Sequence, residues 1–163
     1  MSAARAEILV EGRGGAGEAL VLTAPISFWG GVDPATGTIA DVRHPQHGAC
    51  VSGRVLFVPG TIGSSSASAV LMELVHRGIA PAALILHVLD AILLLGLIVA
   101  REMGWETPVA VRMDRERFTA FTGKHVSVGA EITAASPVVA ELHAASAKRW
   151  AQEIGRAPCR ERV

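Results

Sequence analysis

Residues 79–100, IAPAALILHVLDAILLLGLIVA, are almost continuously apolar, and this run restricts the possible folds more than any other stretch of the chain. It is about as long as a bilayer-spanning helix. Pro81, His87 and Asp90 oppose that use, because proline interrupts a helix and ionisable groups are costly at bilayer depth. The same residues divide naturally into a buried strand over 84–87, an Asp90 N-cap, a buried helix over 91–103 and a Gly104 stop. A buried strand followed by a buried helix belongs to a sheet that is covered on its faces, so an α/β fold is expected.

The flanking segments agree with this division. From Ser66 the apolar period becomes helical through Ala69, Val70, Met72, Leu74 and Val75, and the helix is expected to stop at His76-Arg77-Gly78. Residues 108–112 form a further strand candidate after the Glu106-Thr107 turn, which completes a βαβ pattern. A short helix over 114–121, a turn at Thr122-Gly123 and a last strand over 124–128 follow. Upstream, short β-like runs at 7–10, 19–23, 38–42 and 54–58 alternate with Gly, Pro and Asp clusters. No internal repeat is present. A chain of 163 residues holds one full hydrophobic core, so a single layered α/β domain is expected.

Charge excludes some partners. Fifteen basic and fifteen acidic residues balance, and the body of the chain has no basic run, so nothing favours nucleic acid or an anionic membrane. Cys50 and Cys159 lie far apart in no pair-spaced motif, which suits a reducing compartment better than a disulfide scaffold. The opening MSAARAEILVEGR lacks the apolar core and cleavage site of a secretory signal. Cytoplasm is the expected location.

Five stretches carry possible chemistry. Gly12, Gly14 and Gly17 satisfy GxGxxG, but the following residues are β-like and Pro25 comes soon after, so a glycine hairpin turn fits better than a dinucleotide loop. His44-Pro45-Gln46-His47, with Asp41 nearby, offers two imidazoles and a carboxylate to a metal, a substrate contact, or a polar turn. Cys50 has no CxxC companion and cannot hold an iron–sulfur cluster alone; a buried filler is its simplest role. Phe28-Trp29-Gly30-Gly31-Val32-Asp33-Pro34 is either a tight turn with its aromatics in the core or a shaped ligand loop.

The fifth stretch is Gly60-Thr61-Ile62-Gly63-Ser64-Ser65-Ser66, which joins a strand to the start of a helix. Free amides and the positive end of the helix dipole converge at such a turn, favouring an anion and lowering the cost of a serine alkoxide. Ordinary N-capping needs one serine, and Ser66 is the candidate; three in a row leave others over. No GKS or GKT accompanies the glycines, so a nucleotide P-loop is not supported. No GxSxG elbow is present either, which opposes a stand-alone serine hydrolase.

Taken together, Pro25 to Pro34, His44 to Gly48 and Gly63 to Ser66 resemble, in this order, the small subunit or small domain of aconitase-X-type hydro-lyases, over about residues 8–128. The resemblance implies an α/β fold of the aconitase-like swivelling β/β/α kind. It implies a larger catalytic part, separate or fused, that carries a cysteine-ligated iron–sulfur cluster, with no metal and no cofactor on this chain. By the same resemblance Ser64 is the serine that removes a proton beside a carboxylate, and Ser65 assists by hydrogen bonding to substrate. Gly63, Trp29, Gly30, Gly31 and His47 are the implied substrate-binding positions. Aconitases proper place an arginine where this chain has Ser66, which disfavours a tricarboxylate.

The implied reaction is dehydration of a small hydroxy-carboxylate: Ser64 takes the proton while cluster iron in the partner, as a Lewis acid, binds the leaving hydroxyl. Family substrates are cis-3-hydroxy-L-proline and 5-phosphomevalonate, and Trp29 inclines the choice to the first. A phosphomevalonate dehydratase small subunit, and a non-catalytic binding or regulatory swivel subunit, are the alternatives. The swivel domain is expected over residues 1–135. Residues 136–152 would be a linker or the start of a following region. Residues 153–163, basic and without apolar period, resemble a sequencing-adapter read-through and are expected to be a non-native tail.

Overall fold

The computed structural model describes residues 3–129 and 131–134. The expected linker at 136–152 and tail at 153–163 lie outside them.

Three short strands, apolar except for Arg112, form the centre: β4 (Val55–Val58), β5 (Ala83–Leu86) and β6 (Val109–Arg112). Every residue of β4 and β5 is buried, as expected of parallel strands covered on both faces. Alternation then sends Leu56, Val58, Leu84, Leu86 and Ala110 to one core, and Val55, Phe57, Ala83, Ile85, Val109 and Val111 to another. Parallel pairing extends from β6 through β5 and β4 to β3 (Gly15–Val21), where the direction changes. The lower half of β3 pairs antiparallel with β7 (His125–Val128), and β7 with β8 (Glu131–Ala134). Two N-terminal strands complete the order: β1 (Ala3–Arg5) lies antiparallel to β8, and β2 (Glu7–Val10) antiparallel to β6.

The strand order is β1-β8-β7-β3-β4-β5-β6-β2. Only Ala6 separates β1 from β2, so the two ends of this order are one run of chain and the sheet closes on itself. Eight strands enclose an interior that side chains can fill. Here Phe57 stacks on Phe121 at 5.4 Å and meets Phe118 edge-on at 5.2 Å, with Met113, Val126, Val128 and Ile132 around them. Phe118 and Phe121 come from a 3-10 helix (Arg115–Phe121). On the other face, α2 (Ala67–His76) and α3 (Ala91–Glu102) cover the second core.

Asp90 caps α3 as expected, its Oδ1 accepting from the Ile92 and Leu93 amides at 3.0 Å each. Gly78 and Gly104, at φ +68° and +78°, stop the two helices. No helix among the described residues is long and apolar enough to cross a membrane.

Four expectations need correction. The glycines at 12–17 do not form a hairpin turn. Gly15 and Gly17 lie inside β3, which is a neighbour of β4 and β7 and not of β2, and a Cβ on either would strike the Ala82 or Gly53 carbonyl. Close backbone approach, not turning, requires glycine there. Residues 38–42 make only isolated bridges, Val32 to Ile39 and Thr38 to Cys50, because the Asp33-Pro34 turn uses their pairing capacity and a second turn begins at Asp41. The helix after Asp90 is buried on one side only: Leu93, Leu94, Gly96, Leu97 and Ala100 face the core, while Ile92, Leu95, Ile98 and Val99 are exposed. Strands β1 and β8 are additions to the expected set, since runs of three or four residues with mixed polarity carry little periodicity.

The helices meet closely at Gly96, where a Cβ would lie 2.6 Å from the Ser68 carbonyl oxygen. Gly96→Ala should therefore destabilise the domain by about 1–3 kcal/mol, the range for overpacking, although alanine is the better helix former. Chemical denaturation checks this. A stabilised variant would show that the helices can part at no cost.

Candidate active site

Strands β3 to β6 run parallel, so their C-terminal ends share one edge of the barrel, and α2 and α3 both begin there. Ligand sites of parallel sheets lie outside such ends. The glycine–serine stretch leaves β4 at this edge. Gly60, Thr61 and Ile62 continue the sheet: the Ile26 amide donates to the Gly60 carbonyl at 3.2 Å, and the Ile62 amide to the Ile26 carbonyl at 3.0 Å. Beyond them the chain turns into α2. Ser64 is half-buried, Ser65 exposed, Ser66 half-buried.

The serine roles differ from the capping expectation. Ser66 stands at the N-cap position, but its own backbone is already helical (φ −83°, ψ −6°) and its hydroxyl caps nothing. Ser64 does that work: its Oγ accepts from the Ser66 amide at 3.3 Å, and its carbonyl accepts from the Ala67 amide at 3.1 Å. Ser64, three residues before α2, meets the Ser66 amide with its hydroxyl and the first helical amide, that of Ala67, with its carbonyl, whereas the hydroxyl of a residue already in helical conformation is not turned to the free amides.

Gly63 differs from most glycines of the chain. Its φ is not positive, and a Cβ there would meet no heavy atom within 4 Å among the described residues. Neither backbone conformation nor packing explains a glycine at this exposed position, directly before Ser64.

The aromatic block is held against the same loop. Ile26, which pairs with Thr61, is followed by Ser27 and the one-turn segment α1 (Phe28–Gly31). Phe28 is fully buried, while Trp29 is 60% exposed, with the Ser27 hydroxyl donating to its carbonyl at 3.0 Å. Two adjacent aromatics thus serve different purposes, and core filling accounts for only the first. Gly30, at φ +76°, turns the chain between them and Gly31, which is buried against Ile26. The Asp33 carboxylate accepts from the Ala35 amide at 2.8 Å and tightens the turn that follows.

The histidine turn attaches to this block from the other side. The Ala40 amide donates to the Gly31 carbonyl at 2.9 Å. His44, one of the few buried polar residues, lies with Nε2 3.1 Å from the Ala24 carbonyl, and its Nδ1 accepts from the Gln46 amide at 3.1 Å. Both ring nitrogens are committed to backbone, so His44 is the structural histidine of the pair and is not placed to ligate a metal. His47 is exposed. Gln46 ties the turn to Thr23 through its side-chain amide, which donates to the Thr23 hydroxyl at 3.0 Å. Ser64, Ser65, Gly63, Trp29, Gly30, Gly31 and His47 thus lie on loops linked by hydrogen bonds at one edge of the barrel.

Sequence reasoning missed Thr61. Its hydroxyl donates to Asp90 Oδ2 at 2.6 Å, joining the serine loop to the start of α3. The residue types gave no signal of this, because the partners are 29 residues apart and Asp90 is accounted for as a cap. Cys50, expected as a buried filler, is only half-buried, and its backbone forms a β-bridge with that of Thr38 beside the histidine turn.

Over 100 residues the chain is 46% identical to a cis-3-hydroxy-L-proline dehydratase of Pseudomonas aeruginosa, a match covering 61% of this chain and 17% of that protein. Over 86 residues it is 44% identical to the phosphomevalonate dehydratase small subunit of Methanothermobacter thermautotrophicus, covering 53% of this chain and 66% of the relative. The chain therefore spans a small part of the first relative and just under two thirds of the second. The crystal structure of Thermococcus kodakaraensis aconitase X superposes with a TM-score of 0.72 at 28% identity, over 83% of this chain and all of that one. The family model described as the aconitase X swivel domain matches residues 3–136, which covers every described strand and helix, and the chain belongs to that family.

Proposed function

We propose that this chain is the swivel part of a hydro-lyase that dehydrates a small hydroxy-carboxylate, with Ser64 as the proton-abstracting base. The observation that carries this reading is the place of Ser64: half-buried at the C-terminal edge of β4, next to an otherwise unexplained Gly63, at the N-terminus of α2. A deprotonating serine needs its alkoxide favoured, and the Ser66 amide already donates to its Oγ. The first turn of α2 adds the positive end of a helix dipole. A carboxylate substrate set beside Gly63 would bring its α-proton to Ser64 and its charge to the same amides. Ser65 and exposed Trp29 would border that position.

The loop and the strand before it, from Val55 to His76, contain no lysine or arginine. Arg43 lies in the histidine turn and the Arg115 guanidinium donates to the Thr23 carbonyl at 3.4 Å, but the serine loop itself offers a phosphate no cation, and on that side a substrate with one carboxylate fits better than one that also bears a phosphate. Cis-3-hydroxy-L-proline is accordingly the preferred substrate, and phosphomevalonate the alternative.

The elimination also needs help for the departing hydroxyl. The family implies an iron–sulfur cluster for this, but cluster ligation takes several thiolates, and no group of three potential ligands exists among the described residues. The described residues do not fit the cluster. A larger catalytic part, fused or separate, would hold it, as the small-subunit names of relatives imply.

Three outcomes are expected. Assembled with an aconitase X large part, Ser64→Ala should lower turnover of cis-3-hydroxy-L-proline by at least ~10²-fold, the low end for losing a positioned base. It should also lose about 0.5–2 kcal/mol of stability through the cap, while Ser66→Ala loses almost none. Steady-state kinetics with denaturation curves separates the effects; full turnover in Ser64→Ala with none in Ser65→Ala would move the base by one residue. If both variants kept full turnover, a binding or regulatory swivel subunit would be the better description.

Gly63→Ala should leave stability within about 0.5 kcal/mol or slightly raised, as for exposed sites where alanine is unstrained, yet lower kcat/KM. An unchanged kcat/KM would remove Gly63 from the substrate path. Finally, the isolated chain should take up no stoichiometric iron or sulfide on anaerobic reconstitution and show no dehydratase activity. A full cluster on the isolated chain would overturn the two-part reading.

A further inference from the structure

Ser64 follows Thr61 by three residues, and that short interval is fixed at both ends. On the Ser64 side its carbonyl and hydroxyl accept from the Ala67 and Ser66 amides. On the Thr61 side the backbone is sewn to Ile26 by two hydrogen bonds, and the side chain is bound to Asp90. The Thr61–Asp90 bond is 2.6 Å, short as expected for a hydroxyl donating to a carboxylate, and partly shielded from water. Asp90 therefore serves two elements at once. Its Oδ1 caps α3 through the Ile92 and Leu93 amides, and its Oδ2 holds the loop that carries Ser64. Capping alone would be met equally by serine or asparagine, and needs only one side-chain acceptor. The second carboxylate oxygen is what the loop uses.

We propose that Thr61 and Asp90 are positioning residues, a tether from the start of α3 that sets the height of the Ser64 hydroxyl above the sheet edge. This rests on Ser64 being the base. Between the Ile62 amide, bonded to the Ile26 carbonyl, and Ser64 the loop has few other constraints: Ile62 and Gly63 are exposed, and a Cβ on Gly63 would meet nothing within 4 Å. With the tether cut, the loop is left with only the backbone bonds to Ile26 and the bonds to the Ser66 and Ala67 amides, and Gly63 and Ser64 can shift as those bonds open more often, without disturbing either core. A base displaced by about 1 Å can lose up to ~10²-fold in rate while the substrate still binds. The effect belongs in kcat more than in KM.

Two variants separate the tether from the cap. Thr61→Val removes the hydroxyl while keeping the β-branched shape, and Asp90→Ser keeps a helix cap but is too short to reach Thr61 as well. Amide exchange measured by NMR on the full chain gives the first readout. In both variants the Ile62 and Ser66 amides should exchange at least ~10-fold faster, with the Ile92 and Leu93 amides little changed. The double variant should be no faster than either single one, and Thr61→Ser should restore protection. The second readout is turnover of cis-3-hydroxy-L-proline by the chain assembled with an aconitase X large part. There kcat should fall by about 10-fold or more in both variants with KM nearly constant, and Thr61→Ser should recover it.

Unchanged exchange at Ile62 and Ser66 in both variants would overturn the tether whatever Ser64 does. Near-normal kcat in both, alongside a dead Ser64→Ala, would overturn its catalytic use. Full activity in Ser64→Ala itself would remove the base assignment and the tether's catalytic role together, leaving the exchange result to show whether the physical tether exists.

Discussion

The parallel pairing of β3 with β4 does not end where the regular strands end. It resumes at Ile26 and Thr61, a few residues beyond the ends of β3 and β4, and these few backbone hydrogen bonds bring the rest of the site together. The aromatic block begins two residues after Ile26, and the serines begin three residues after Thr61. Without that second contact, two loops separated by more than thirty residues would have no reason to face each other. The histidine turn depends on it indirectly, since it binds to Thr23, Ala24 and Gly31 on either side of Ile26.

The regular part of the fold is well marked in the sequence. Strands β4, β5 and β6 are apolar runs bounded by turns, α2 and α3 have glycine stops, and Asp90 stands out as a cap by its place between two apolar runs. Such elements are set by local chemistry together with burial. Features that depend on distant partners are the ones that sequence reasoning misplaces. The β3 glycines resemble a turn because glycine marks both turns and close approaches, and only the carbonyls of Ala82 and Gly53 distinguish the two. The strand-like run at 38–42 has the right residues, but its hydrogen bonds go to turn segments on either side, at Gly31 and Asp33 and at Gly48 and Ala49, which form no continuous ladder.

For the site, the three blocks can be found in the sequence as a set, though their mutual arrangement cannot. Phe28 and Trp29 are adjacent and chemically alike, yet one is core and one faces outward. No periodicity argument on a four-residue turn separates them. His44 and His47 are equivalent by residue type; the fold commits the first to backbone and leaves the second at the surface. The assignment of capping to Ser66 fails because helix boundaries are uncertain by a residue or two, and capping is sensitive to that shift.

Closure of the sheet through Ala6 has a consequence for synthesis. Ala3 pairs with Thr133 and Glu7 with Arg112, so strands made early join strands made more than a hundred residues later. Contacts of such separation form slowly, since the intervening chain must be ordered before they are rewarded. The central strands with α2 and α3 can assemble while the N-terminal ribbon is still idle. Until β8 is made, the Phe57–Phe118–Phe121 interior lacks the wall that Ile132 supplies, and its aromatic surface is covered last.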